Sequence, residues 1–273
     1  MPELPEVETV VRSLLQSEIV GKTIVQVHLK FSKLVSDPKA FVKDVQGSCI
    51  LGCTRRGKYI LLALSSGKTL LIHLRMTGKL LIVKKEDKTG VHEHAHFTLD
   101  DGREIRFNDV RKFGRFYLVD DAKEFLADLG LEMLDEDFSF EEFCSRIASS
   151  KRSLKTLLLD QKVLAGLGNI YADEALFGAC LLPQRKAYTL SKKELKALCE
   201  AIQQVLSLAI ERGGSSLGAG LGNFLNSYGK SGENQNLFSV YQRTNLPCLR
   251  CGEPIQRIIM GQRSTHFCPN CQK

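Results

Sequence analysis

The N-terminal residues of the chain could form a covalent catalyst. The sequence begins Met1-Pro2-Glu3 and continues with two more carboxylates, Glu6 and Glu8. Pro2 is small enough for Met1 to be removed, which would leave a secondary amine on a rigid ring beside these carboxylates. An α-amino group has a pKa of about 8, so much of it is unprotonated and nucleophilic at neutral pH. Such an amine can attack an electrophilic carbon and form an iminium.

The same residues also predict the start of a helix. Pro5 suits a first helical turn, and the dipole of the helix would stabilise Glu6 and Glu8 there. Apolar residues follow at helical spacing, at Val7, Val10, Val11, Leu14 and Leu15. A helix that simply begins with prolines is therefore the alternative to a catalytic interpretation, and spacing alone leaves both open.

Four cysteines near the other end of the chain have the spacing of a zinc site. Cys248 and Cys251 form one C-x-x-C pair, Cys268 and Cys271 form a second, and sixteen residues separate the pairs. Four sulfur ligands would fill a tetrahedron, so one structural Zn²⁺ is expected. Two disulfides are the alternative, which is disfavoured because nothing marks the chain as secreted. We expect the other five cysteines to be reduced, mostly in the core: Cys49, Cys53, Cys144, Cys180 and Cys199.

Charge is distributed unevenly along the 273 residues, whose formal net charge is +7. Ten acidic residues and one lysine lie between Asp120 and Glu142, whereas five basic residues and one acid lie between Asn236 and Lys273. A basic segment built around zinc indicates a surface for a polyanion, although ordinary solvated surface would give the same counts. No apolar run has the length of a membrane span and no signal peptide precedes Pro2, so we expect a cytoplasmic protein.

The pattern along the chain predicts an α+β protein of two domains. After the first helix, short alternating segments predict an antiparallel β-sandwich over residues 1–131. An acidic connector and helices would occupy 132–235, and a zinc finger 236–273. The clearest helix runs from Ser191 to Arg212, where Ser191 and Glu194 form a capping box. The predicted strands are Thr23–Leu29, Ser48–Thr54, Tyr59–Leu64, Thr69–Leu74, Leu80–Val83, His94–Asp100, Glu104–Asn108 and Gly114–Val119.

Three further motifs carry weaker signals. The segment 166–169, Gly-Leu-Gly-Asn, predicts a tight turn between helices whose N–H groups could receive a phosphate. Gly229-Lys230-Ser231 resembles the end of a P-loop, but the glycine needed five residues earlier is Phe224. His92, His94 and His96 alternate along one strand, and without a carboxylate partner they favour a polar face or phosphate contacts over a metal site.

Two strand ends carry long side chains that could enter a base stack. Met76 follows the strand that ends near Leu74, and Arg111 and Phe113 follow the strand that ends at Asn108. Such residues can fill the space left by an extruded nucleotide. Core packing of Met76 and Phe113, with Arg111 in solvent, is the alternative.

Six separated blocks of the sequence together resemble the formamidopyrimidine-DNA glycosylase family. They cover essentially the whole chain, and Leu4 after Glu3 is similar to the oxidised-purine branch rather than the endonuclease VIII branch. The blocks are Pro2-Glu3-Leu4-Pro5-Glu6-Val7-Glu8-Thr9, Arg56-Gly57-Lys58-Tyr59, His73-Leu74-Arg75-Met76-Thr77-Gly78-Lys79, Val110-Arg111-Lys112-Phe113-Gly114, Leu164-Ala165-Gly166-Leu167-Gly168-Asn169-Ile170-Tyr171 and Gly261-Gln262-Arg263-Ser264-Thr265-His266-Phe267-Cys268.

The resemblance implies a fold and a partner. The fold would be an N-terminal β-sandwich with flanking helices, a helix–two-turn–helix module and a zinc-ribbon-like β-hairpin finger. The partner would be double-stranded DNA that contains a damaged base, bound by a monomer that associates with the nucleoid. The DNA-binding positions implied by the resemblance are His92, Arg111, Lys151, Asn169, Met76 and Phe113.

The resemblance also implies a bifunctional glycosylase and AP lyase. The Pro2 amine would attack C1′ of the damaged nucleotide and expel an oxidised purine, with Glu3 as proton donor to the sugar. Glu6 would be a second carboxylate beside the site. Lys58 is similar to the lysine assigned to β-elimination, and Arg263 to the arginine assigned to δ-elimination.

One segment departs from the family pattern, and two other functions stay open. The family places an arginine and an aromatic residue after Leu217, where this chain has the glycine-rich segment 218–222. That segment resembles the loop that covers the flipped base, so the lesion preference does not transfer. An oxidised-pyrimidine glycosylase of the endonuclease VIII type would share every catalytic residue. A non-catalytic zinc-module DNA-binding protein would need neither Pro2 nor Glu3.

Overall fold

The computed structural model describes residues 1–217 and 223–273, which fall into two units. The first unit contains Met1–Ala127 and Arg212–Glu233. The second contains Asp128–Glu211 and Asn234–Lys273. The first unit is therefore discontinuous, because its last segment follows the helices of the second unit in the chain.

Two four-stranded antiparallel sheets form the β-sandwich of the first unit. One has the order β1-β6-β7-β5 and the other β2-β3-β4-β8. Apolar side chains from both sheets share one buried core. The strands are β1 Ile24–Leu29, β2 Ile50–Arg56, β3 Tyr59–Leu64, β4 Thr69–His73, β5 Lys79–Lys84, β6 Glu93–Leu99, β7 Arg103–Asn108 and β8 Arg115–Val119. All eight predicted strands are confirmed, and no end shifts by more than two residues.

Short helices flank the sandwich: α1 Leu4–Gln16, the 3₁₀ turn Ser32–Leu34, α2 Pro38–Val45 and α3 Ala122–Phe125. Helix α1 begins where the prolines predict, and Val7, Val10, Val11 and Leu14 are buried in the core of the sandwich. Leu15 is 43% exposed, so its predicted place on the apolar face is wrong. It lies one residue beyond Leu14, outside the stripe that faces the sheets.

The second unit is helical and ends in a two-stranded hairpin. Its helices are α4 Phe140–Ala148, α5 Leu154–Leu158, α6 Asn169–Gly178 and α7 Lys192–Glu211, with 3₁₀ turns at Ala187–Thr189 and Asn234–Leu237. The capping box of α7 is confirmed, because the Ser191 N–H donates to the Glu194 carboxylate at 2.8 Å and the Glu194 N–H donates to Ser191 Oγ at 3.3 Å. The hairpin consists of β9 Gln256–Met260 and β10 Arg263–Phe267.

Within the described part of the chain, none of the helices has the length and apolar character that crossing a membrane would require.

Candidate active site and metal centre

The carboxylates beside Pro2 are buried and fixed at the start of α1. Glu3 is 3% exposed and Glu6 is 2% exposed, and Pro2 is buried beside them. The Glu3 N–H donates to Glu6 Oε2 at 2.8 Å. Burial without partners would be costly for a carboxylate, so each oxygen of Glu6 needs a donor.

The second oxygen of Glu6 binds a loop from much later in the chain. The Ser215 N–H donates to Glu6 Oε1 at 2.7 Å. Gly214 precedes it with φ of 79°, and a Cβ there would lie 3.1 Å from the Glu6 side chain, so glycine suits both the backbone and the space. The Ser216 hydroxyl then donates to the Phe224 carbonyl at 2.7 Å. The glycine-rich segment 218–222, where the family pattern fails, lies outside the described residues.

An ion pair connects α1 to the hairpin that carries Lys58. Arg55 Nε lies 3.0 Å from the Glu8 carboxylate, and Arg55 Nη1 donates to the Gly57 carbonyl at 3.1 Å. Arg56 and Tyr59 are paired residues of β2 and β3, so Gly57 and Lys58 form a two-residue turn. Gly57 has φ of 56°, which such turns require. Glu8 therefore holds the Lys58 turn rather than only stabilising the start of the helix.

Lys58 is buried at the end of this turn, at 6% exposure. Its charge lies close enough to His73 to affect that imidazole. Burial, with the cations of Arg75 and Lys58, lowers the pKa of His73 to about 3. His73 is therefore neutral, and its Nδ1 accepts the Arg75 N–H at 3.0 Å. A neutral imidazole beside Lys58 adds no positive charge to the site.

Met76, Arg111 and Phe113 form one exposed cluster, which we call the wedge cluster. Met76 is 37% exposed and Phe113 is 46% exposed, so the core-packing alternative is wrong for both. Arg111 contacts each of them: its Nη1 lies 3.0 Å from the Met76 sulfur, and its guanidinium lies 4.7 Å from the centre of the Phe113 ring. Two turns that are separate in sequence thus present one apolar and cationic surface.

The histidines of β6 differ from the expectation. His92 precedes the strand and is half-buried, whereas His94 and His96 are buried at 5% and 8% exposure. His94 Nε2 bonds the Asp109 carbonyl at 2.8 Å. His96 lies 3.0 Å from Glu93 and 3.6 Å from Glu104. The interpretation of this strand as a polar face without carboxylate partners is wrong for His96, which lies near Glu93 of its own strand and near Glu104 of β7. Among the described residues, His94 has a backbone carbonyl rather than a carboxylate as its hydrogen-bond partner, but its side chain is buried.

In the second unit, the segment 166–169 leads into α6, which begins at Asn169, but it does not form the predicted tight turn, because Gly168 is extended with φ of −136°. Asn169 Nδ2 donates to the Ser264 carbonyl on β10 at 2.9 Å. Lys155 Nζ donates to the Asn169 carbonyl at 2.9 Å and lies 2.6 Å from Asp173, with both side chains fully buried. Asp173 also accepts the His266 N–H at 2.9 Å. These contacts fix the strand that carries Arg263 onto α6.

Arg263 itself is exposed at the first position of β10, opposite Met260. The turn between them is Gly261-Gln262, and both residues have positive φ, 54° and 62°, as tight hairpin turns require. Lys151 is also exposed, just before α5. Both cations are therefore available to an anionic partner of this unit.

The four predicted zinc ligands converge. The sulfurs of Cys248, Cys251, Cys268 and Cys271 all lie within 4.8 Å of one another, and among the described residues they are the group placed to hold a metal. Zinc–sulfur bonds of about 2.3 Å in a tetrahedron place sulfurs about 3.8 Å apart. The Cys248–Cys271 and Cys251–Cys268 separations are 3.9 Å and 3.5 Å. Four thiolates with this spacing fit one Zn²⁺ and leave no position for a water ligand.

The other cysteines follow the expectation only in part. Cys53 and Cys199 are buried, and Cys49 and Cys144 are half-buried. Cys180 is exposed, which contradicts its predicted place in the core. It has φ of 58° at the end of α6, and Arg250 Nη1 lies 3.1 Å from its sulfur.

Three buried acids that position these residues were not predicted from the sequence. Asp109 is fully buried in the turn before Arg111. Asp173 and Glu174 lie in an otherwise apolar part of α6, and Glu174 accepts the N–H groups of Ser239, Val240 and Tyr241 at 2.8–2.9 Å. Burial raises the pKa of Glu174, and the three N–H groups oppose that effect. Acids inside an apolar helical run are the signal that could have revealed the last two.

Comparisons with known proteins agree with this organisation. Residues 1–116 match the Formamidopyrimidine-DNA glycosylase N-terminal domain, residues 129–223 its H2TH domain, and residues 245–273 the zinc finger found in FPG and IleRS. The Formamidopyrimidine-DNA glycosylase of Herpetosiphon aurantiacus is 47% identical over 277 residues, with 100% of both sequences covered.

Solved structures match over the whole chain as well. The Lactococcus lactis Fpg in complex with DNA that contains an abasic site has a TM-score of 0.91 at 35% identity, covering 99% of each chain. The wild-type Lactococcus lactis Fpg (MutM) in complex with DNA that contains N7-benzyl-Fapy-dG has a TM-score of 0.90 at 36% identity, covering 100% of each. The chain belongs to the formamidopyrimidine-DNA glycosylase family.

Proposed function

We propose that this protein is a bifunctional DNA glycosylase and AP lyase of base excision repair that removes oxidised purines. The observation that carries the proposal is the buried arrangement at the N-terminus. Pro2 lies beside Glu3 and Glu6, and Glu6 is held by the N–H groups of Glu3 and Ser215. A structural helix start has no need of two buried carboxylates beside a proline, whereas amine catalysis does.

The reaction begins after removal of Met1, when the Pro2 nitrogen attacks C1′ of the damaged nucleotide. The bond from C1′ to the base breaks, and the base leaves with its electron pair and takes up the proton that the Pro2 nitrogen loses on bonding to C1′. Glu3 donates a proton to the sugar oxygen, so the ring opens and an iminium forms at C1′. Glu6 keeps the backbone of Glu3 in place and does not itself need to transfer a proton.

Strand cleavage follows from the iminium. It acidifies the hydrogen on C2′, and loss of that proton expels the 3′ phosphate in β-elimination. We assign this step to Lys58, whose turn is fixed by Arg55 and Glu8. A second elimination expels the 5′ phosphate, which we assign to Arg263, because its planar fork suits phosphate oxygens.

We propose two groups of DNA-binding residues. His92, Lys151 and Asn169 would contact the DNA backbone or the orphan base, which is the base opposite the lesion. The wedge cluster of Met76, Arg111 and Phe113 would fill the space behind the extruded base. Its exposure supports this role, since a side chain that enters a base stack must be accessible in the free protein.

One structural Zn²⁺ on the four cysteines would hold the hairpin that carries Arg263 and take no part in the chemistry. We propose three domains, at residues 1–131, 132–235 and 236–273.

We also propose that the protein acts as a monomer in the cytoplasm. Its association with the nucleoid would follow from its binding of double-stranded DNA.

Borohydride trapping tests the proposal directly. The protein is incubated with an 8-oxoguanine duplex, with a matched duplex that carries an oxidised pyrimidine, and with an undamaged duplex. Reduction converts the iminium into a stable covalent complex, so we expect a protein–DNA band with the 8-oxoguanine duplex. A faster reaction with the oxidised pyrimidine would favour the endonuclease VIII type, and binding without any covalent band would indicate a non-catalytic DNA-binding protein.

Replacing Phe113 or Met76 by alanine should separate stability from catalysis. Both side chains are exposed, so each change should alter the free energy of unfolding by no more than about 0.5 kcal/mol. Excision from duplex DNA should nevertheless slow, because unstacking costs a few kcal/mol and the wedge offsets part of it. Excision from a substrate already unpaired at the lesion should slow less.

Thermal denaturation beside single-turnover excision on both substrates measures the two effects. Phe125→Ala is a suitable control, since Phe125 is similarly exposed, at 40%, and lies outside the wedge cluster. A large drop in melting temperature for Phe113→Ala, with equal loss on both substrates, would remove this residue from the mechanism.

A further inference from the structure

We infer that Asp109 is a positioning residue that gives the wedge cluster its shape before DNA binds. This inference rests on the proposed function, because it concerns how Met76, Arg111 and Phe113 reach the position behind an extruded base. Asp109 makes no contact with the reacting atoms in this scheme. It acts through the two turns that carry the wedge side chains.

The Asp109 carboxylate holds both turns at once. Its Oδ1 accepts from the Thr77 hydroxyl, next to Met76, and from the Arg111 N–H at 3.2 Å. Its Oδ2 accepts from the Gly114 N–H at 2.8 Å, next to Phe113. The Thr77 hydroxyl also accepts the Arg111 N–H at 3.2 Å. One carboxylate therefore fixes the residue beside Met76, the backbone of Arg111 and the residue beside Phe113.

The backbone of Asp109 is itself held by β6 and by His92, the residue that precedes β6. The Asp109 N–H donates to the His92 carbonyl at 2.9 Å, and His94 Nε2 donates to the Asp109 carbonyl at 2.8 Å. The Lys112 N–H also donates to the Asp109 carbonyl, at 3.3 Å. Asp109 thus connects the wedge cluster to the sheet through His94 and to the backbone of His92.

Packing leaves these turns little freedom to move separately. A Cβ at Gly78 would lie 2.9 Å from the Phe107 ring, and a Cβ at Gly114 would lie 2.3 Å from the same ring. Phe107 is fully buried. Both turns therefore pack against the Phe107 ring, and the close contact requires glycine at positions 78 and 114. Asp109 supplies the polar link on top of this packing.

The chemistry of the donors suits a permanent structural link. Asp109 is fully buried, and its three donors are neutral groups: a hydroxyl and two backbone N–H groups. A buried carboxylate without these bonds would be strongly disfavoured, so the turns and the carboxylate stabilise one another. Among the described residues that bind the Asp109 carboxylate, Thr77 donates from its side chain, so Thr77 can be changed without altering the backbone.

The test uses Asp109→Asn, Thr77→Val and Thr77→Ser in the full-length protein. Single-turnover excision is measured on a duplex with a paired lesion and on a substrate already unpaired there. We expect Asp109→Asn and Thr77→Val to slow excision from the paired duplex by about tenfold, with a smaller loss on the unpaired substrate. Thr77→Ser keeps the hydroxyl and should retain the wild-type ratio of the two rates.

Glu104→Gln is the matched control. Glu104 is also a buried carboxylate, on β7, and it binds Arg106 at 2.7 Å and Thr98 at 3.1 Å rather than the wedge turns. Its loss should lower the melting temperature without changing the ratio of paired to unpaired excision. If Asp109→Asn fails to fold, the Thr77→Val and Thr77→Ser pair carries the comparison.

Two results have separate meanings. Wild-type protein that forms no borohydride-trapped complex would overturn the proposed function. Wild-type protein that is trapped normally, with Thr77→Val slowing both substrates equally or neither, would overturn the role of Asp109 alone.

Discussion

Protein that carries an N-terminal extension is expected to bind damaged DNA but to form no covalent complex. The nucleophile in our proposal is the secondary amine that Pro2 gains when Met1 is removed. An extension converts that amine into an amide, which has no free electron pair to attack C1′. The buried Glu3 and Glu6 would remain in place, so the loss should be chemical rather than structural.

The measurement combines borohydride trapping, strand cleavage and DNA binding with mass spectrometry of the N-terminus. The same tag placed after Lys273 is the control, since it leaves the N-terminal amine free. Full trapping by protein whose N-terminal extension is verified intact would exclude Pro2 as the nucleophile.

Replacing Glu3 by Gln should separate base removal from amine chemistry. The change keeps the size of the side chain and the free Pro2 amine, but it removes the proton donor of our proposal. We expect base excision to fall by about 10²–10⁴-fold, the usual contribution of a positioned acid. Reaction with a preformed abasic site should suffer less, because its sugar also exists as an open-chain aldehyde, which the amine can attack without protonation of the ring oxygen. Single-turnover rates on both substrates decide this, with the exposed Glu18→Gln as control.

Replacing a zinc ligand should abolish DNA binding without touching the catalytic end. Cys268→Ser would leave three thiolates, and metal binding supplies much of the folding energy of a small zinc module, about 10–16 kcal/mol in peptides. The hairpin of β9 and β10 would then lose its closure, and Arg263 its position. We expect the zinc content to fall from one per chain to none, and DNA affinity to fall with it.

Metal analysis and fluorescence anisotropy with a lesion duplex measure these losses. Cys180→Ser is the matched control, because Cys180 is an exposed cysteine outside the metal group. Zinc that persists in Cys268→Ser protein, or that is found at His92–His96, would contradict the assignment.

The strands could be predicted well from the sequence because their signal is local. Alternation of apolar and polar residues reports which face meets the core, and it needs no knowledge of the partner strand. The prediction for Leu15 was wrong because an apolar residue can lie next to the buried stripe of a helix and still face solvent. The metal site could be predicted equally well, since the spacing within each C-x-x-C pair alone brings two ligands together.

The positioning residues were not readable because their partners are distant in sequence. Asp109 binds a hydroxyl 32 residues away, and Asp173 binds His266 across 93 residues. His96 gained the Glu104 carboxylate as a neighbour through the register of β6 with β7, which alternation does not reveal. Local patterns and the family resemblance therefore identified the residues proposed to act on DNA, and both missed the residues that hold them.

Because the first unit is discontinuous, its two segments are synthesised at different times. Glu6 binds the N–H of Ser215, which is synthesised 209 residues later. At about 5–20 residues per second, roughly 10–40 s separate the two partners during translation. The amine and its carboxylates thus emerge first, but their surroundings are completed only when the Arg212–Glu233 segment folds back. A nascent chain that stops before that segment has the proposed nucleophile without the Ser215 N–H that holds Glu6, so on our proposal the N-terminus becomes active only when synthesis is nearly finished.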